Sequence, residues 1–426
     1  MNGVAGVAIA ASVIALLVAL RAIQKRFAIS PELARKLFHI AGGVVSLLLP
    51  YIFSSVAAVA VMTFCITGIL LAIRLLPRLR GSVGLVLNSV NRPSLGELCF
   101  PLSVLILYAL AHNQKVYFAI PLLILTFADS TAALIGSRYG SVKYAATDGV
   151  KSVEGSAAFF LVGFLGAHVP LLLWTDLGRE ESLLVAVILA FLLVILEAVC
   201  WGGLDNLFVP LCAYAVLKNL VTLPASELLA RLSIVAGSAA AILIWGKRTT
   251  LNLSGILGGF LLCYAVWMLA DWRWVVIPLL VFVAHPFLAP RTEFGGYRIH
   301  DVHTAFSIFA AGLTWALAGY ILHHDFFYAY ALAFATHLAI ISAVRQGFSS
   351  PGNPKPIRKS LLAWAVIFGA FAALRGGGRL DLLRAAVALP CVCAATYLHG
   401  KLAHQGNRWE WEATAAGLAS LPAALW

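Results

Sequence analysis

MNGVAGVAIAASVIALLVAL, Met1 to Leu20, runs for twenty residues without a charged side chain. As a helix it would be about 30 Å long, the depth of a bilayer's hydrocarbon core. No basic residue precedes its apolar stretch, whereas Arg21, Lys25 and Arg26 follow it. That order reads as a first spanning helix and not as a cleaved signal. The pattern recurs: of 426 residues 62% are hydrophobic and only 11% charged, with a mean hydropathy of +0.93. Soluble domains carry about 25% charged residues. The expected fold is therefore an all-α, polytopic integral membrane bundle of roughly 14–16 transmembrane helices. No hydrophilic block is long enough to form a separate soluble domain.

The formal net charge is +12, which raises the question of nucleic acid. The basic residues, however, sit in short loops beside apolar runs, where topology and lipid headgroups account for them; no nucleic-acid partner is expected. One series of loops receives Arg21, Lys25, Arg26, Arg35 and Lys36, then Arg74, Arg78, Arg80 and Arg92, then Arg138, Lys143 and Lys151. The alternate loops, such as AHNQK (Ala111–Lys115) and TDLGREE (Thr175–Glu181), are poorer in net positive charge. The bias of Lys and Arg makes the first series cytoplasmic and puts the N-terminus outside. The seven cysteines show no paired CxxC spacing and mostly fall inside apolar runs. They read as small core residues, implying neither a disulfide framework nor a zinc site.

FADSTAALIGSRYG, Phe127 to Gly140, ends an apolar run with a carboxylate, Asp129. An acid at a helix centre in lipid costs about 2.5–3.5 kcal/mol on insertion scales. Asp129 is therefore either a functional group or a residue wet enough, or near enough to a helix end, to stay charged. An offset of 207 residues lays this stretch over FATHLAIISAVRQG, Phe334 to Gly347, without a gap. Both copies end a helix of the same orientation, so the chain reads as two parallel repeats divided near Gly246 and Lys247. Thr336 occupies the position of Asp129 in the second copy.

Further polar motifs fall on the same face. GSRYGSVKYAATDGVKSVEG, Gly136 to Gly155, sets Gly136, Gly140 and Gly155 among Arg138, Lys143 and Lys151. A glycine-rich turn entering a helix makes an anion nest, and the cations beside it neutralise phosphate; a positive-inside loop has the same composition. EAVCWGGLDNLFVP places Glu197 and Asp205 on either side of a diglycine. Such acids suit a hard cation such as Mg²⁺, which bridges carboxylates to phosphates, and Asp205 also suits a helix cap. In ELARKLFHIAGG, Arg35 and His39 share a helix face, with Lys36 beside them. In NRPSLGELCFP, Asn91 to Pro101, Glu97 needs a partner, and Arg92 is near in sequence. Metal held by carboxylates, phosphates neutralised by Lys and Arg, and an orienter for a hydroxyl are the parts of phosphoryl transfer.

RKLFHIAGG, ADSTAALIGSRYG, DGVKSVEGSAA and EAVCWGGLDNLFVPL are similar, in this order, to the motifs of the polyprenol kinase family, over roughly residues 30–225. That family includes dolichol, phytol and farnesol kinases, membrane enzymes that phosphorylate isoprenoid alcohols with CTP and a divalent metal. The resemblance implies that Asp129 binds metal or activates the hydroxyl. It puts Lys151, Ser152 and Glu154 in the nucleotide loop, with Gly155 following, and has Asp205 and Asn206 complete the site. LNLSGILGGFLLCYAVWMLADWRWVVIPLL, Leu251 to Leu280, resembles the phytyl-phosphate kinase-related membrane family more faintly, and Thr336 replaces the acid there.

The expected protein thus has a catalytic membrane domain over residues 1–245 and a divergent repeat over 246–426. It phosphorylates a lipid-soluble isoprenoid alcohol with a nucleoside triphosphate, CTP by the resemblance, and with Mg²⁺. Asp129, Lys151 and Asp205 are the catalytic set, and Asp129, Glu197 and Asp205 the metal set. Gly136, Arg138, Gly140, Lys143, Lys151, Ser152, Glu154 and Gly155 hold the nucleotide, while Arg35, Lys36, His39, Asn91, Glu97 and Asn206 are accessory. Two other readings are a cytidylyltransferase acting on a lipid phosphate, whose histidine-diglycine and double-aspartate ending is absent here, and a transporter or scramblase built on intramembrane acids. RTEFGGYRIHDVH, Arg291 to His303, offers Glu293, His300, Asp301 and His303 as a metal-binding alternative to a solvated loop.

Overall fold

The computed structural model describes residues 2–88, 94–111, 114–245, 251–288, 301–344, 355–402 and 408–425. Two compact units divide the chain, Met1–Ala239 and Ala240–Trp426. The first holds α1 (Asn2–Phe27), α2 (Pro31–Leu47), α3 (Val56–Leu75), α4 (Gly96–Ala111) and α5 (Lys115–Tyr139). A hairpin of β1 (Lys143–Ala146) and β2 (Gly149–Ser152) follows. Then come α6 (Val153–Trp174), α7 (Arg179–Val199), α8 (Asp205–Leu220) and α9 (Ala225–Trp245), the last running across the division.

Among the described residues nine helices are long and apolar enough to cross a membrane, and four shorter apolar helices accompany them. The chain is an integral membrane helical bundle. Its helix ends obey local chemistry. Ser30 starts α2 by accepting the Leu33 amide at 3.2 Å, with Pro31 at the first position, where a missing N–H costs nothing. Ser152 starts α6 in the same way, accepting the Gly155 amide at 3.1 Å. Inside α5, Pro121 withholds an amide from the ladder, and the turn Ile124–Ala128 that follows is π-helical. That wide turn delivers the chain directly to Asp129.

The stretch from Gly136 to Gly155 is not simply a loop. Lys143 pairs with Ser152 and Ala146 with Gly149 in an antiparallel ribbon. Gly136, Gly140 and Gly155 serve close packing where α5 meets α6. A Cβ on Gly155 would stand 2.9 Å from the Ala132 carbonyl oxygen and 3.2 Å from the Gly136 Cα, and one on Gly140 would meet Ser152 Cβ at 2.6 Å.

The second unit holds α10 (Leu253–Leu269), α11 (Trp272–Leu288), α12 (Val302–Leu322), α13 (Phe327–Val344), α14 (Lys355–Arg375), α15 (Arg379–Leu402) and α16 (Arg408–Ser420). Its axis is α13, enclosed by α11, α12, α14, α15 and α16, with Tyr330, Phe334, Phe368 and Phe371 at the core. Helices α12 to α16 follow the order of α4 to α8. Matching neighbours pack in both units: α4 on α8 as α12 on α16, and α6 on α7 as α14 on α15. The offset of 207 carries Asp129 to Thr336, which is fully buried, and Asp205 to Glu412.

Gly246 and Lys247, the expected division point, lie outside the described residues, as do Glu293 and His300. Asp301 caps α12, accepting the His303 amide at 3.0 Å and the Thr304 amide at 3.4 Å.

Candidate active site

Asp129 is buried at the first position after the π turn, and two side chains from α2 reach it. Lys36 donates to Oδ2 at 2.7 Å, and His39 Nε2 lies 3.6 Å from the same oxygen. His39 Nε2 also lies 3.1 Å from the Leu125 carbonyl oxygen inside the π turn. A carbonyl only accepts, so Nε2 carries the ring proton. Lys36 is itself only 3% exposed, so it is the countercharge that lets a carboxylate sit here and not merely a marker of topology. Arg35, one position away, turns to Glu32 and grips it with two bonds, at 2.7 and 3.3 Å.

The hairpin brings in the second pair. Lys151, on β2, donates to both the carboxylate and the backbone carbonyl of Glu197 at the end of α7. Burial alone would lower the pKa of this ammonium. The adjacent Glu197 charge and its hydrogen bond outweigh burial and hold Lys151 above the ordinary lysine value. At the hairpin tip, Asp148 accepts the Gly202 amide at 2.9 Å, which fastens β1–β2 to the diglycine turn before α8. Gly202 and Gly203 have φ of +61° and +85°, a left-handed backbone natural to glycine. Gly203 also lies so close to α4 that a Cβ there would stand 2.4 Å from the Gly96 nitrogen.

This turn aims the start of α8 at the other two pairs. Asp205, the first residue of α8, makes no capping bond. Among the described residues it has no hydrogen-bond or ion-pair partner. Asn206 is buried, and its Oδ1 is without a donor. A half-buried carboxylate with no partner, beside an orphaned amide oxygen, is a donor set open to a hard cation. Among the described residues, no three His, Cys, Asp or Glu side chains stand close enough to hold an ion alone. That set suits an ion sharing its coordination with phosphate oxygens and not one caged by protein.

All of these groups open onto one cavity of about 660 Å³. Arg35, Lys36, His39, Asp129, Lys151 and Asp205 line it, as do Gly136, Lys143, Ser152, Gly155, Glu197, Asn206 and Glu97. Beyond them its wall becomes apolar, with Val13, Val45, Met62, Ile66 and Phe100. The cavity therefore joins a charged chamber to an apolar arm within the first unit.

Some expected residues fall elsewhere. Arg138 is exposed and lies over the Tyr139 ring, 5.6 Å from its centroid. Glu154 turns away from the cavity and accepts the Ser141 and Val142 amides at 2.9 and 3.1 Å, so it occupies the loop amides expected to receive an anion. Gly140 packs against Ser152 outside the lining. Glu97 pairs with Arg74 at 2.5 Å, a partner 23 residues away. Asn91 and Arg92 lie outside the described residues.

Sequence reasoning missed Asp148, Glu32 and Arg74. An Asp-Gly dipeptide between short alternating runs is a hairpin signal, so Asp148-Gly149 announced the ribbon. Nothing local announced Arg74.

Comparison with known proteins adds one relative. The chain is 31% identical over 208 residues to the phytol kinase of Synechocystis sp.; the match takes in 48% of this chain and 87% of that protein. No family model matches the chain. No solved structure matches it either.

Proposed function

The chain belongs to the polyprenol kinase-like family of isoprenoid kinases, and from that premise we propose that it transfers the terminal phosphoryl group of a nucleoside triphosphate, CTP in our reading, to the hydroxyl of an isoprenoid alcohol. The observation that carries this is the shape of the cavity, in which a charged chamber containing Asp205, without a partner among the described residues, opens into an apolar arm. An acceptor with a polar head and a hydrocarbon tail matches both parts. In the chamber, Lys151 and Lys143 face the donor's phosphates, and Asp205 with Asn206 Oδ1 would hold Mg²⁺ against them. Bound there, the ion would neutralise charge on the transferred group.

Asp129 is the hydroxyl's orienter. Lys36 keeps it ionised, so it accepts the alcohol proton's hydrogen bond and aligns the oxygen for in-line attack. In this reading the chamber faces the cytoplasm, and the second unit does not perform the transfer.

The test is to incubate the purified chain with terminally labelled CTP or ATP, Mg²⁺ and a panel of isoprenoid alcohols. Label is expected in an isoprenyl monophosphate, with nucleoside diphosphate released. Release of pyrophosphate would point instead to a cytidylyltransferase. Transfer to no alcohol, or an Asp205→Asn variant as active as wild type, would sink the proposal.

A further inference from the structure

The apolar arm has a floor. Along α2 and its continuation the cavity is lined from Glu32 to Leu49, roughly 25 Å at 1.5 Å per residue. Leu49, Met62 and Val104 close the deep end. They are 1%, 6% and 3% exposed, and Ile9 packs against the same buried cluster. Behind Met62 the wall is backed by α1, where even a Cβ on Gly6 would touch Met62 Cβ at 3.8 Å. Two hydroxyls that line the cavity are turned to their own helices: Ser46 donates to the Gly42 carbonyl at 2.8 Å and Ser12 to the Ile9 carbonyl at 2.7 Å. The arm thus asks for hydrocarbon and offers it a finite length.

Volume bounds that length. At about 30 Å³ per heavy atom, the share of a water in its liquid, the cavity takes on the order of 22 heavy atoms. The donor's phosphates need part of this space.

We propose that Leu49, Met62 and Val104 gauge the acceptor's chain length, admitting alcohols of about two to three isoprene units and excluding long polyprenols. This rests on the kinase reading of the same cavity.

The test uses the full chain with geraniol, farnesol, geranylgeraniol and undecaprenol, each offered with labelled nucleotide. Geraniol and farnesol are expected to be phosphorylated, geranylgeraniol less efficiently, and undecaprenol at least about 100-fold less efficiently than farnesol by kcat/KM. Met62→Trp raises the floor. It should cut the geranylgeraniol-to-geraniol ratio of kcat/KM by about tenfold or more, and Met62→Ala should shift the ratio the other way. Binding of radiolabelled geranylgeraniol without nucleotide is read in parallel and should be displaced by the shorter alcohols but not by undecaprenol. Wild-type efficiency on undecaprenol within tenfold of that on farnesol would overturn the gauge. So would Met62 variants, folded by thermal unfolding, that leave the ratio unchanged. Length-dependent binding with no phosphorylation of any alcohol would end the kinase reading and leave the gauge standing.

Discussion

Lys36 and Asp129 illustrate how far a single side chain's meaning depends on its partner. An ionised carboxylate in a spanning helix is tolerated because Lys36 stands 2.7 Å away, and each would be an uncompensated buried charge without the other. Lys36→Met is expected to destabilise the protein by about 3–5 kcal/mol, and the double variant Lys36→Met with Asp129→Leu by clearly less. Thermal unfolding in detergent checks both; equal losses would mean that the pair does not act as a unit. Asp205 should behave oppositely. With no partner to lose among the described residues, Asp205→Asn should leave the unfolding temperature within about 2 °C of wild type and cut phosphoryl transfer about 100-fold or more. Lys151 adds a pH dependence. Its folded pKa lies above the ordinary value of 10.5, so its stabilising contribution is fully present below that value and is lost only as pH rises through the raised one. Unfolding measured across the alkaline range should show a limb that Lys151→Met removes.

Hairpin β1–β2 is the element that turns separate motifs into a chamber. It carries Lys151 to Glu197 and ties its tip, through Asp148, to the diglycine turn that presents Asp205. Asp148→Ala should therefore speed amide exchange across both the 143–152 ribbon and the 200–204 turn while leaving α6 protected. Protection unchanged in the turn would show that the two are not fastened together. Gly203→Ala should cost more than a surface change, because its φ of +85° is left-handed and the added Cβ would strike the Gly96 nitrogen at 2.4 Å. The hairpin was legible in the Asp148-Gly149 dipeptide. The role of the glycines was not: a glycine-rich stretch looks the same whether its amides receive an anion or its missing side chains let two helices cross.

The two units share an order of helices and the packing of matching pairs, yet their polar content differs where it matters. In the second unit Thr336 stands at the position of Asp129, fully buried, and its hydroxyl has no partner among the described residues. Thr336→Val removes an unsatisfied hydroxyl at nearly constant shape. It is expected to keep or raise the unfolding temperature and to leave alcohol kinase activity within about twofold of wild type. A tenfold loss of activity in a folded variant would give the second unit a part in the reaction. Most of the architecture was readable, because hydropathy over spans of about 20 residues reports directly on whether a segment can leave water. Lys36, His39, Asp129, Lys151 and Asp205 were readable as well, since each is a costly group in an apolar setting.

Hydropathy and the cost of burying charge were enough to establish a helical membrane protein with its polar chemistry concentrated at a few motifs, because both are properties of residues and their neighbours along the chain. Which charges neutralise one another was decided only in three dimensions. Lys36 is taken by Asp129, 93 positions away, and Lys151 by Glu197, 46 away. Glu154 turns back to the loop, and among the described residues Asp205 is left without a partner. Ion pairing depends on distances of a few ångströms, which sequence separation does not encode. The folded packing of α1 to α8 decides which acids are paired among the described residues and how deep the apolar arm beside them runs.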